Sequence, residues 1–272
     1  MPLWLKVVLR ALRDVKKVRR EAVKALILAA GFGSRLKQLT QDRHKVLISV
    51  GGAPLIDYPI RALMSLGVTD IGVVVGHRAE EVSDFLGDHY PFVETIQNDN
   101  FDGGNAFSVL AGERFVGSEP FLVCMGDHAV SAGIVAPLVT QSEDDCILCV
   151  DYSASLSSQT NDATRVLIDT HGYVEHIGKE LSRWNAIDAG VFRMTPDVFP
   201  VIRSLSAVHG TDVTLTDLVL RMGDEGEYFS TRVVSGSFWA DVDTFEDYQS
   251  VDRLLRISNG NDLQRVGLEA HQ

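Results

Sequence analysis

The sequence Val23-Lys-Ala-Leu-Ile-Leu-Ala-Ala-Gly-Phe-Gly-Ser-Arg-Leu36 joins an apolar run to a glycine-rich turn. The run up to Ala30 predicts a buried β-strand, because its side chains are almost all apolar. Gly31 and Gly33 let the backbone of the turn approach a ligand closely. The exposed N–H groups of such a turn form a concave anion site, to which Arg35 adds a positive charge with forked geometry. This stretch therefore predicts a phosphate-binding turn directly after the first strand.

The same alternation of strand and helix continues outward from this stretch. Further apolar runs predict buried strands at Ile71–Val75, Val93–Ile96, Phe121–Met125 and Cys146–Val150. Between the runs, apolar residues recur with helical spacing and predict helices at Pro54–Leu66, Ala79–Leu86, Asn105–Phe115 and Ile134–Thr140. This pattern predicts an α/β fold whose mainly parallel, Rossmann-like central sheet carries helices on both faces. Ligands of such sheets bind beyond the carboxyl ends of the strands, so functional residues are expected there.

The second half of the chain is less regular and predicts a smaller elaboration of the same domain. Strands are predicted at Thr164–Asp169, Tyr173–Ile177 and Ala186–Met194, the first two as a pair. Helices are predicted from Pro196 onward, over Thr214–Met222 with Thr214 as the N-cap, and over Phe245–Ile257. Because no linker separates the two halves, we expect one domain.

Two common phosphate-binding motifs are excluded by the residues of the turn. A Rossmann dinucleotide site needs a third glycine where this chain has Leu36, and a Walker loop needs Gly-Lys-Ser/Thr, which the turn lacks. What remains is Leu28-Ala-Ala-Gly-x-Gly-Ser-Arg-Leu36, followed by Lys45-Val-Leu47 and Gly51-Gly-Ala-Pro-Leu55. This combination resembles the signature of the sugar-phosphate nucleotidyltransferase family. The resemblance implies an enzyme with the fold of that family.

The resemblance also implies roles for individual residues of the turn. In the family, the turn wraps the triphosphate of a nucleotide, and an Arg and a Lys neutralise charge as pyrophosphate leaves. The catalytic residues implied in this way are Arg35 and Lys45. The implied nucleotide contacts are Leu28, Ala29, Ala30, Gly31, Gly33, Ser34, Arg35 and Lys45. One position departs from the family pattern, because proline usually precedes the lysine and this chain has His44.

Acidic residues in two distant segments are candidates for metal ligands. Phe121-Leu-Val-Cys-Met-Gly-Asp-His128 places Asp127 just past a predicted strand, and Phe238-Trp-Ala-Asp-Val-Asp-Thr244 contributes Asp241 and Asp243. Nucleotidyl transfer requires that charge on the leaving pyrophosphate be neutralised, and Mg²⁺ held by carboxylates is the usual means. The attacking phosphate oxygen of an acceptor is already anionic, so this reaction needs no side-chain nucleophile or general base.

The family resemblance implies that Asp127 and Asp241 hold Mg²⁺ jointly, and it adds Asp127 to the catalytic residues. Asp243 has two other interpretations. It assists the metal ligands, or it caps the helix that begins near Thr244.

The segment Asn98-Asp-Asn-Phe-Asp-Gly-Gly-Asn-Ala-Phe-Ser108 follows the third predicted strand and opens a helix. Its two glycines permit close backbone approach, while its asparagine and serine side chains offer hydrogen-bonding groups. In the family this segment lies over the nucleobase, which implies contacts from Asn98, Gly103, Gly104, Asn105 and Ser108. From the residues alone, an ordinary loop with Asn105 as an N-cap stays open as an interpretation.

Further motifs narrow the resemblance to the CTP:inositol-1-phosphate cytidylyltransferases. The motifs are Gly104-Asn-x-x-Ser108, Gly126-Asp-His128, Ala163-Thr-Arg-Val166, Ile177-Gly-Lys179, Ile187-Asp-Ala-Gly-Val-Phe192 and Trp239-Ala-Asp-Val-Asp-Thr244. The likeness implies CTP and inositol 1-phosphate, a small phosphorylated polyol, as substrates, and CDP-inositol and pyrophosphate as products. Arg165 and Lys179 would face the acceptor phosphate, and Asp188 would bind acceptor hydroxyls. His128 either contacts the acceptor or packs, and both interpretations are open.

Other functions stay open on the sequence. The acceptor is alternatively another sugar 1-phosphate, choline phosphate or a phosphonate. From a different class, the chain is alternatively a non-catalytic nucleotide-binding regulator. The intact set of Arg35, Lys45, Asp127 and Asp241 disfavours the regulator, because a regulator need not keep both charge clusters.

The composition restricts partners and compartment. A net charge of −12 makes the surface a poor partner for nucleic acid. Three cysteines are too few for a disulfide scaffold and predict core residues in a reducing cytoplasm. No stretch approaches the roughly 20 apolar residues of a membrane span. The expected location is cytoplasmic.

Residues 1–21 predict a basic amphipathic helix. Apolar side chains recur there with helical spacing, and Lys and Arg lie mostly on the other faces. This pattern is typical of a helix that lies on an anionic membrane surface, which would associate the chain with membranes. Packing on the domain or on a partner subunit, as in a homodimer, is the other interpretation. The predicted layout is this helix, a nucleotidyltransferase domain over residues 22–258 and a disordered tail over residues 259–272.

Overall fold

The computed structural model of the protein describes residues 23–36, 39–140, 145–152 and 163–261. The helix predicted over residues 1–21 lies outside these ranges, as do residues 262–272 of the predicted tail. None of the helices within the ranges combines the length and the apolar character that crossing a membrane requires. Membrane contact through residues 1–20 and a homodimer therefore stay predictions.

A large mixed sheet organises the described part of the chain. The strands are β1 (Lys24–Ala29), β2 (Ser49–Val50), β3 (Ala53–Pro54), β4 (Ile71–Val75), β5 (Glu94–Gln97), β6 (Phe121–Met125), β7 (His128–Val130), β8 (Ile147–Asp151), β9 (Arg165–Ile168), β10 (Val174–Gly178), β11 (Ala186–Met194), β12 (Ser230–Val233) and β13 (Trp239–Asp241). The order in the large sheet is β10-β9-β11-β6-β1-β4-β5, and β8 pairs with β11 and β12. Two short sheets pair β2 with β3 and β7 with β13.

The strands from the first half form the parallel centre of the sheet. β1 is parallel to β4 and to β6, and β4 is parallel to β5, so the carboxyl ends of these strands meet at one edge. Strand β11 runs antiparallel to β6, β8 and β9 and brings in the second half of the chain. The predicted mainly parallel central sheet is thus confirmed. In the predicted elaboration of the second half, β9, β10 and β11 pair antiparallel, whereas β12 pairs with β8 in parallel.

Helices cover both faces of the sheet. They are α1 (Asp57–Ser65), α2 (Ala79–His89), α3 (Ala106–Ala111), α4 (Glu113–Val116), α5 (Ala132–Val139), α6 (Val198–His209), α7 (Leu215–Asp224) and α8 (Phe245–Asn261). Alternate residues of β1 enter different cores, because successive side chains of a strand point to opposite faces. Ile27 belongs to the core that includes residues of α1, α2 and α5, and Leu28 belongs to the core that includes residues of α3, α6 and α7.

Three predicted helix boundaries are wrong. The first helix begins at Asp57 and not at Pro54, because Pro54 lies in the β2–β3 hairpin. The helix predicted over Asn105–Phe115 is divided at Gly112, a residue with weak helix propensity. Helix α8 continues to Asn261, so residues 259–261 of the predicted disordered tail are helical. Buried side chains earlier in α8 pack on the core and hold this helix in place.

The three cysteines are buried core residues, as predicted. Burial raises the pKa of Cys124 to about 12 and also raises the pKa of Cys146 and of Cys149. These thiols therefore stay protonated at neutral pH, which fits packing and not redox chemistry.

Candidate active site

Lys45 lies at the carboxyl edge of the parallel strands, among three aspartates. Its Nζ is 2.6 Å from Oδ2 of Asp127, 2.6 Å from Oδ1 of Asp243 and 4.0 Å from Oδ1 of Asp241. Asp127 follows β6, and Asp241 ends β13, which pairs with β7 directly after Asp127. The β7–β13 pair thereby brings two acidic motifs together that are far apart in the sequence.

The charged groups of this cluster keep one another ionised. Burial alone would lower the pKa of Lys45, but the three carboxylates raise it above its usual value, so the ammonium stays charged. Burial would likewise raise the pKa of Asp127, yet Lys45 and the hydrogen bond from His128 hold it well below its usual range. Lys45 itself is buried, so its position depends on the segment that carries it and on these ion pairs.

Asp241 carries the negative charge that the cluster compensates least. Burial, followed by the nearby Asp127 and Asp243, raises the pKa of Asp241 to about 7, although His128 and Lys45 oppose the increase. Its buried Oδ1 accepts no hydrogen bond from the described residues. Ligand atoms of Asp127, His128 and Asp241 all lie within 4.8 Å of one another. An oxygen-ligated divalent cation suits this donor set, because it would satisfy that oxygen and favour the ionised carboxylate.

Asp243 forms ion pairs and does not cap helix α8. Its Oδ2 is 2.5 Å from Nη2 of Arg35, while its Oδ1 contacts Lys45. The start of α8 is capped instead by Thr244 and Asp247, because the Thr244 hydroxyl accepts from the Asp247 N–H and the Asp247 carboxylate accepts from the Thr244 N–H. The helix-cap interpretation of Asp243 is therefore wrong, and this residue joins the two predicted cationic residues of the site.

The glycine-rich turn packs directly on Lys45. Gly33 has a φ of +61°, and a Cβ built on it would lie 2.6 Å from Cβ of Lys45, so a larger residue would displace either the turn or the lysine. A Cβ on Gly31 would meet nothing within 4 Å, which leaves open space at this end of the turn. Ser34 begins a short 3-10 helix, Ser34–Leu36, that presents Arg35 toward Asp243. The side chains of Leu28, Ala29 and Ala30 are buried in the sheet, so only their backbone faces the site region.

His128 is anchored on both sides of its ring. Its Nδ1–H donates to Oδ1 of Asp127 at 3.0 Å, and its ring stacks near Trp239 with centroids 6.3 Å apart. Burial would lower the pKa of His128, but Asp241 and Asp127 raise it to about 9. A Cβ on Gly190 would lie 2.7 Å from Nε2 of His128, so the opposite edge of the ring faces the backbone of strand β11.

A cavity of about 500 Å³ extends from this charge cluster toward the second half of the chain. The predicted site residues that line it are Arg35, Asn105, Asp127, His128, Lys179, Asp188 and Asp241. Asp188 is turned inward, where its Oδ1 accepts the N–H of Gly190 at 2.7 Å and burial raises its pKa to about 6. Lys179, which directly follows strand β10, also lines the cavity.

Arg165 is not among the residues that line this cavity. Its Nη1 donates to the carbonyl of Leu181 at 3.0 Å, and its guanidinium lies 5.8 Å from the centre of the Trp184 ring. Arg165 pairs in register with Gly178, the residue before Lys179, but its guanidinium contacts the loop between β10 and β11. Its role at the acceptor phosphate stays a prediction.

A family model described as Nucleotidyl transferase matches residues 24–256. The chain belongs to this family. Its members generally use a divalent metal ion, in agreement with the donor set around Asp241.

Individual proteins similar to this chain have names that fit this family. The bifunctional IPC transferase and DIPP synthase of Rubrobacter xylanophilus is 33% identical over 252 residues, which cover 92% of this chain and 56% of the relative. The relative of the same name from Aquifex aeolicus is 31% identical over 232 residues, or 85% of this chain and 51% of the relative. The chain thus spans about half the length of these curated relatives. The solved inositol-1-phosphate CTP transferase from T. maritima is 27% identical with a TM-score of 0.78, covering 88% of this chain and 98% of that chain.

The segment from Asn98 to Ser108 is fixed by contacts within the protein. Nδ2 of Asn98 donates to the hydroxyl of Ser108 at 3.2 Å, and both side chains are buried. A Cβ on Gly103 would lie 2.3 Å from the carbonyl oxygen of Thr211, and one on Gly104 would lie 2.1 Å from that of Val213. The two glycines therefore allow another segment of the protein to approach closely. The family resemblance had implied that they contact the nucleobase.

Asn105 occupies the N-cap position of α3 but its side chain caps another helix. Its Oδ1 accepts the backbone N–H of Leu215 at 2.8 Å, at the start of α7. The predicted cap Thr214 is confirmed, because Thr214 and Asp217 form a reciprocal capping box. The segment from Asn98 to Ser108 and the start of α7 are thereby one packed unit.

Sequence analysis missed several residues that line the cavity. They are Met125, Ala163, Thr164, Gly178, Gly190, Phe192, Thr214, Leu215, Thr216, Trp239 and Asp247, with Asp243 considered only as an assistant or cap. The capping box Thr214-x-x-Asp217 was visible as a helix start, but nothing local in the sequence showed that this helix points into the site. Its position follows from the long-range pairing with Gly104 and Asn105.

Proposed function

We propose that this chain transfers CMP from CTP to inositol 1-phosphate, giving CDP-inositol and pyrophosphate, with Mg²⁺ as the divalent ion. The observation that carries the proposal is the cluster of Lys45, Arg35, Asp127 and Asp241 beside a cavity that Lys179 and Asp188 also line. The similarity to the T. maritima inositol-1-phosphate CTP transferase and to the proteins named IPC transferase supports this choice of substrates.

The reaction needs positioning and charge neutralisation. An oxygen of the acceptor phosphate forms a bond to the α-phosphorus of CTP, and the bond from that phosphorus to the oxygen bridging to the β-phosphate breaks. Pyrophosphate leaves with the electron pair. Arg35 and Lys45 hold fixed positive charge beside the turn, where negative charge increases on the departing group. Mg²⁺, which Asp127 and Asp241 would hold, supplies further neutralisation of phosphate oxygens when bound.

The nucleotide would lie along the backbone of the turn and of the segment from Asn98 to Ser108. Backbone N–H groups from Gly31 to Ser34 are suited to phosphate oxygens, because such a turn forms a concave anion site. Side chains at Leu28, Ala29 and Ala30 are buried, so their contribution would come from the backbone. In the segment from Asn98 to Ser108, the side chains of Asn98 and Ser108 hydrogen-bond to each other and hold the loop in shape. Gly103, Gly104 and Asn105 pack it against the start of α7.

The acceptor would lie beside Lys179 and Asp188. Lys179 is suited to the phosphate as a charged donor, and Asp188 as a carboxylate is suited to hydroxyl groups. Nδ1–H of His128 donates to Asp127, and the other edge of its ring packs against Gly190. We assign no acceptor contact to Arg165, because its guanidinium binds the Leu181 carbonyl and Arg165 is not among the residues that line the cavity.

A pyrophosphate-release screen tests the proposal. Four nucleoside triphosphates are crossed with inositol 1-phosphate, choline phosphate and glucose 1-phosphate in the presence of Mg²⁺. We expect the highest kcat/KM for CTP with inositol 1-phosphate. A higher value for another pair would refute the substrate assignment, and no release from any pair would favour a binding protein without activity.

The N-terminal segment is tested separately. Co-sedimentation with anionic vesicles is compared between the full chain and a chain that begins at Glu21. Residues 1–20 contain seven Lys or Arg residues and a single acid, Asp14, so only the full chain is expected to pellet. Equal pelleting of the two chains would end the idea of membrane contact through this segment.

A further inference from the structure

His44, the residue before Lys45, has a backbone conformation that proline would adopt. Its φ is −62° and its ψ is 142°, and the proline ring fixes φ near −65°. Unlike proline, His44 has a backbone N–H, and this N–H is buried beside the site. It donates to both carboxylate oxygens of Glu81, at 3.2 and 3.1 Å. Glu81, in the first turn of helix α2, therefore accepts the hydrogen bond of the backbone N–H next to Lys45.

Glu81 is itself held in place by Arg78. Nε of Arg78 lies 2.8 Å from Oε2 of Glu81, and its two terminal nitrogens donate to the carbonyls of Gln41 and Asp42 at 3.3 and 3.0 Å. The guanidinium thus joins the start of α2 to the segment that leads from the turn to Lys45.

The backbone at Arg78 is strained, which indicates that these contacts are maintained at a cost. Arg78 has a φ of +47° and a ψ of 40°, in the left-handed region. Among the described residues it is the only non-glycine residue with a positive φ. Such a conformation costs a long side chain free energy and persists where the surrounding structure enforces it.

The imidazole of His44 adds a second restraint on the same segment. Its Nδ1 accepts the N–H of Val46 at 3.3 Å and so caps the 3-10 helix Lys45–Leu47. Burial, with the neighbouring His77 and Arg78, lowers the pKa of His44 to about 4, so the ring is neutral and able to accept at Nδ1. The ring also lies close to the backbone of Gly31, in the glycine-rich turn.

We propose that Arg78, Glu81 and His44, which we call the α2 clamp, are positioning residues that fix the backbone at Lys45. The clamp deepens the proposed function and rests on it, because Lys45 is the group that it aims at the nucleotide phosphates. Lys45 is buried and cannot change its location without its backbone, so loosening residue 44 would move Nζ relative to Asp127 and Asp243. Small displacements of a charge-stabilising group cost rate more than binding.

Substitution of Glu81 with a matched control tests the clamp. Glu81→Ala removes the acceptor of the His44 N–H, and Glu80→Ala removes a second acid from the same first turn of α2 without touching His44. Both variants lose one favourable charge at the helix start, so their difference isolates the clamp. We expect kcat to fall about tenfold in Glu81→Ala, with a smaller change in the KM for CTP, and to stay within about twofold in Glu80→Ala.

A proline at position 44 provides the rescue. In the double variant His44→Pro/Glu81→Ala, residue 44 has no N–H to satisfy and its φ is fixed by the ring. We expect most of the lost kcat to return. Glu81→Gln keeps one acceptor oxygen for the His44 N–H but loses the ion pair with Arg78, so its kcat should lie between those of wild type and Glu81→Ala. A double variant as slow as Glu81→Ala, or equal kcat in Glu81→Ala and Glu80→Ala, would overturn the proposal.

Amide hydrogen exchange separates failure of the clamp from failure of the proposed function. Exchange at His44 and Val46 should be faster in Glu81→Ala than in Glu80→Ala, by about tenfold, because these N–H groups lose their partners or their rigid surroundings. This measurement requires no turnover. Unchanged exchange would refute the clamp, whereas absence of pyrophosphate release from the wild-type protein would refute the proposed function alone.

Discussion

Two groups of residues at the cavity are held in different ways, and we call them the phosphate end and the acceptor end after their proposed roles. At the phosphate end, Arg35, Lys45, Asp127 and Asp243 form a chain of ion pairs on loops that follow the parallel strands and β13. At the acceptor end, Asp188 has no ion pair among the described residues and is held by the backbone N–H of Gly190, at an irregularity of strand β11. Charge at the phosphate end is therefore determined by several partners, while the acceptor end depends on a few side chains and on backbone shape.

This difference predicts which property each substitution alters. Changes at the phosphate end should lower kcat for every acceptor, because the charges act on the departing pyrophosphate. Changes at the acceptor end should mainly alter the KM for the acceptor and the choice among acceptors. The fold should survive single changes at either end, since the two cores of the sheet lie outside the cluster.

The largest effect is expected for Asp127→Ala. It removes a charge partner of Lys45 and a proposed metal ligand, so turnover should fall by about 10³-fold or more. Circular dichroism should show an unchanged fold, since Asp243 still pairs with Lys45. Turnover near the wild-type rate would remove Asp127 from the site.

A comparison of Asp241→Asn with Asp243→Asn separates the metal ligand from the ion-pair partner. Asp241→Asn should increase the Mg²⁺ concentration needed for half-maximal activity by about 10- to 100-fold. Asp243→Asn should lower kcat about tenfold, because it loosens Arg35 and Lys45, with a smaller change in Mg²⁺ requirement. Titration of activity with Mg²⁺ measures both, and the reverse ranking would make Asp243 the ligand.

At the acceptor end, Lys179→Ala and Arg165→Ala form a matched pair. Both remove one cation near the loop between β10 and β11, but only Lys179 lines the cavity. The KM for inositol 1-phosphate should rise about tenfold in Lys179→Ala, from loss of a charged hydrogen bond, and about twofold or less in Arg165→Ala. Steady-state kinetics with saturating CTP gives the two values. A larger increase in Arg165→Ala would restore the original assignment of this residue.

The smallest effect concerns pH. Because burial raises the pKa of Asp188 to about 6, its carboxylate predominates above pH 6 and is lost as the pH falls through that value. The KM for inositol 1-phosphate should therefore increase severalfold from pH 7 to pH 5. The acceptor phosphate also titrates, with a second pKa of about 6, so Asp188→Asn serves as the reference. If the variant shows the same increase as the wild type, Asp188 does not contribute to it.

The phosphate end could be predicted from the sequence because its residues follow strands in recognisable order. Gly31, Arg35 and Asp127 each lie just beyond an apolar run or in the turn that follows it, and parallel strands bring their carboxyl ends together. Lys45 begins an apolar run, and its role was implied by the family resemblance. Proximity of Asp241 was expected only from the family resemblance. Its physical cause, the pairing of β7 with β13, involves short strands without a distinctive pattern.

The acceptor end was less predictable because long-range packing determines it. Thr214 and Thr216 reach the cavity only because Gly103 and Gly104 accommodate the carbonyls of residues 211 and 213. Arg165 has the charge expected of a phosphate ligand, yet the strand position that it occupies directs it toward Leu181. Charge and spacing cannot distinguish these outcomes without the three-dimensional arrangement of the second half.

The most direct test of the account is ³¹P NMR of a mixture of the wild-type chain with CTP, inositol 1-phosphate and Mg²⁺. The account predicts that the triphosphate and phosphomonoester signals decrease together while equal amounts of a diphosphate diester and pyrophosphate appear. The same mixture with Asp127→Ala should stay unchanged over that time. Loss of the triphosphate signal without consumption of the phosphomonoester, or no reaction at all, would contradict the proposed transfer.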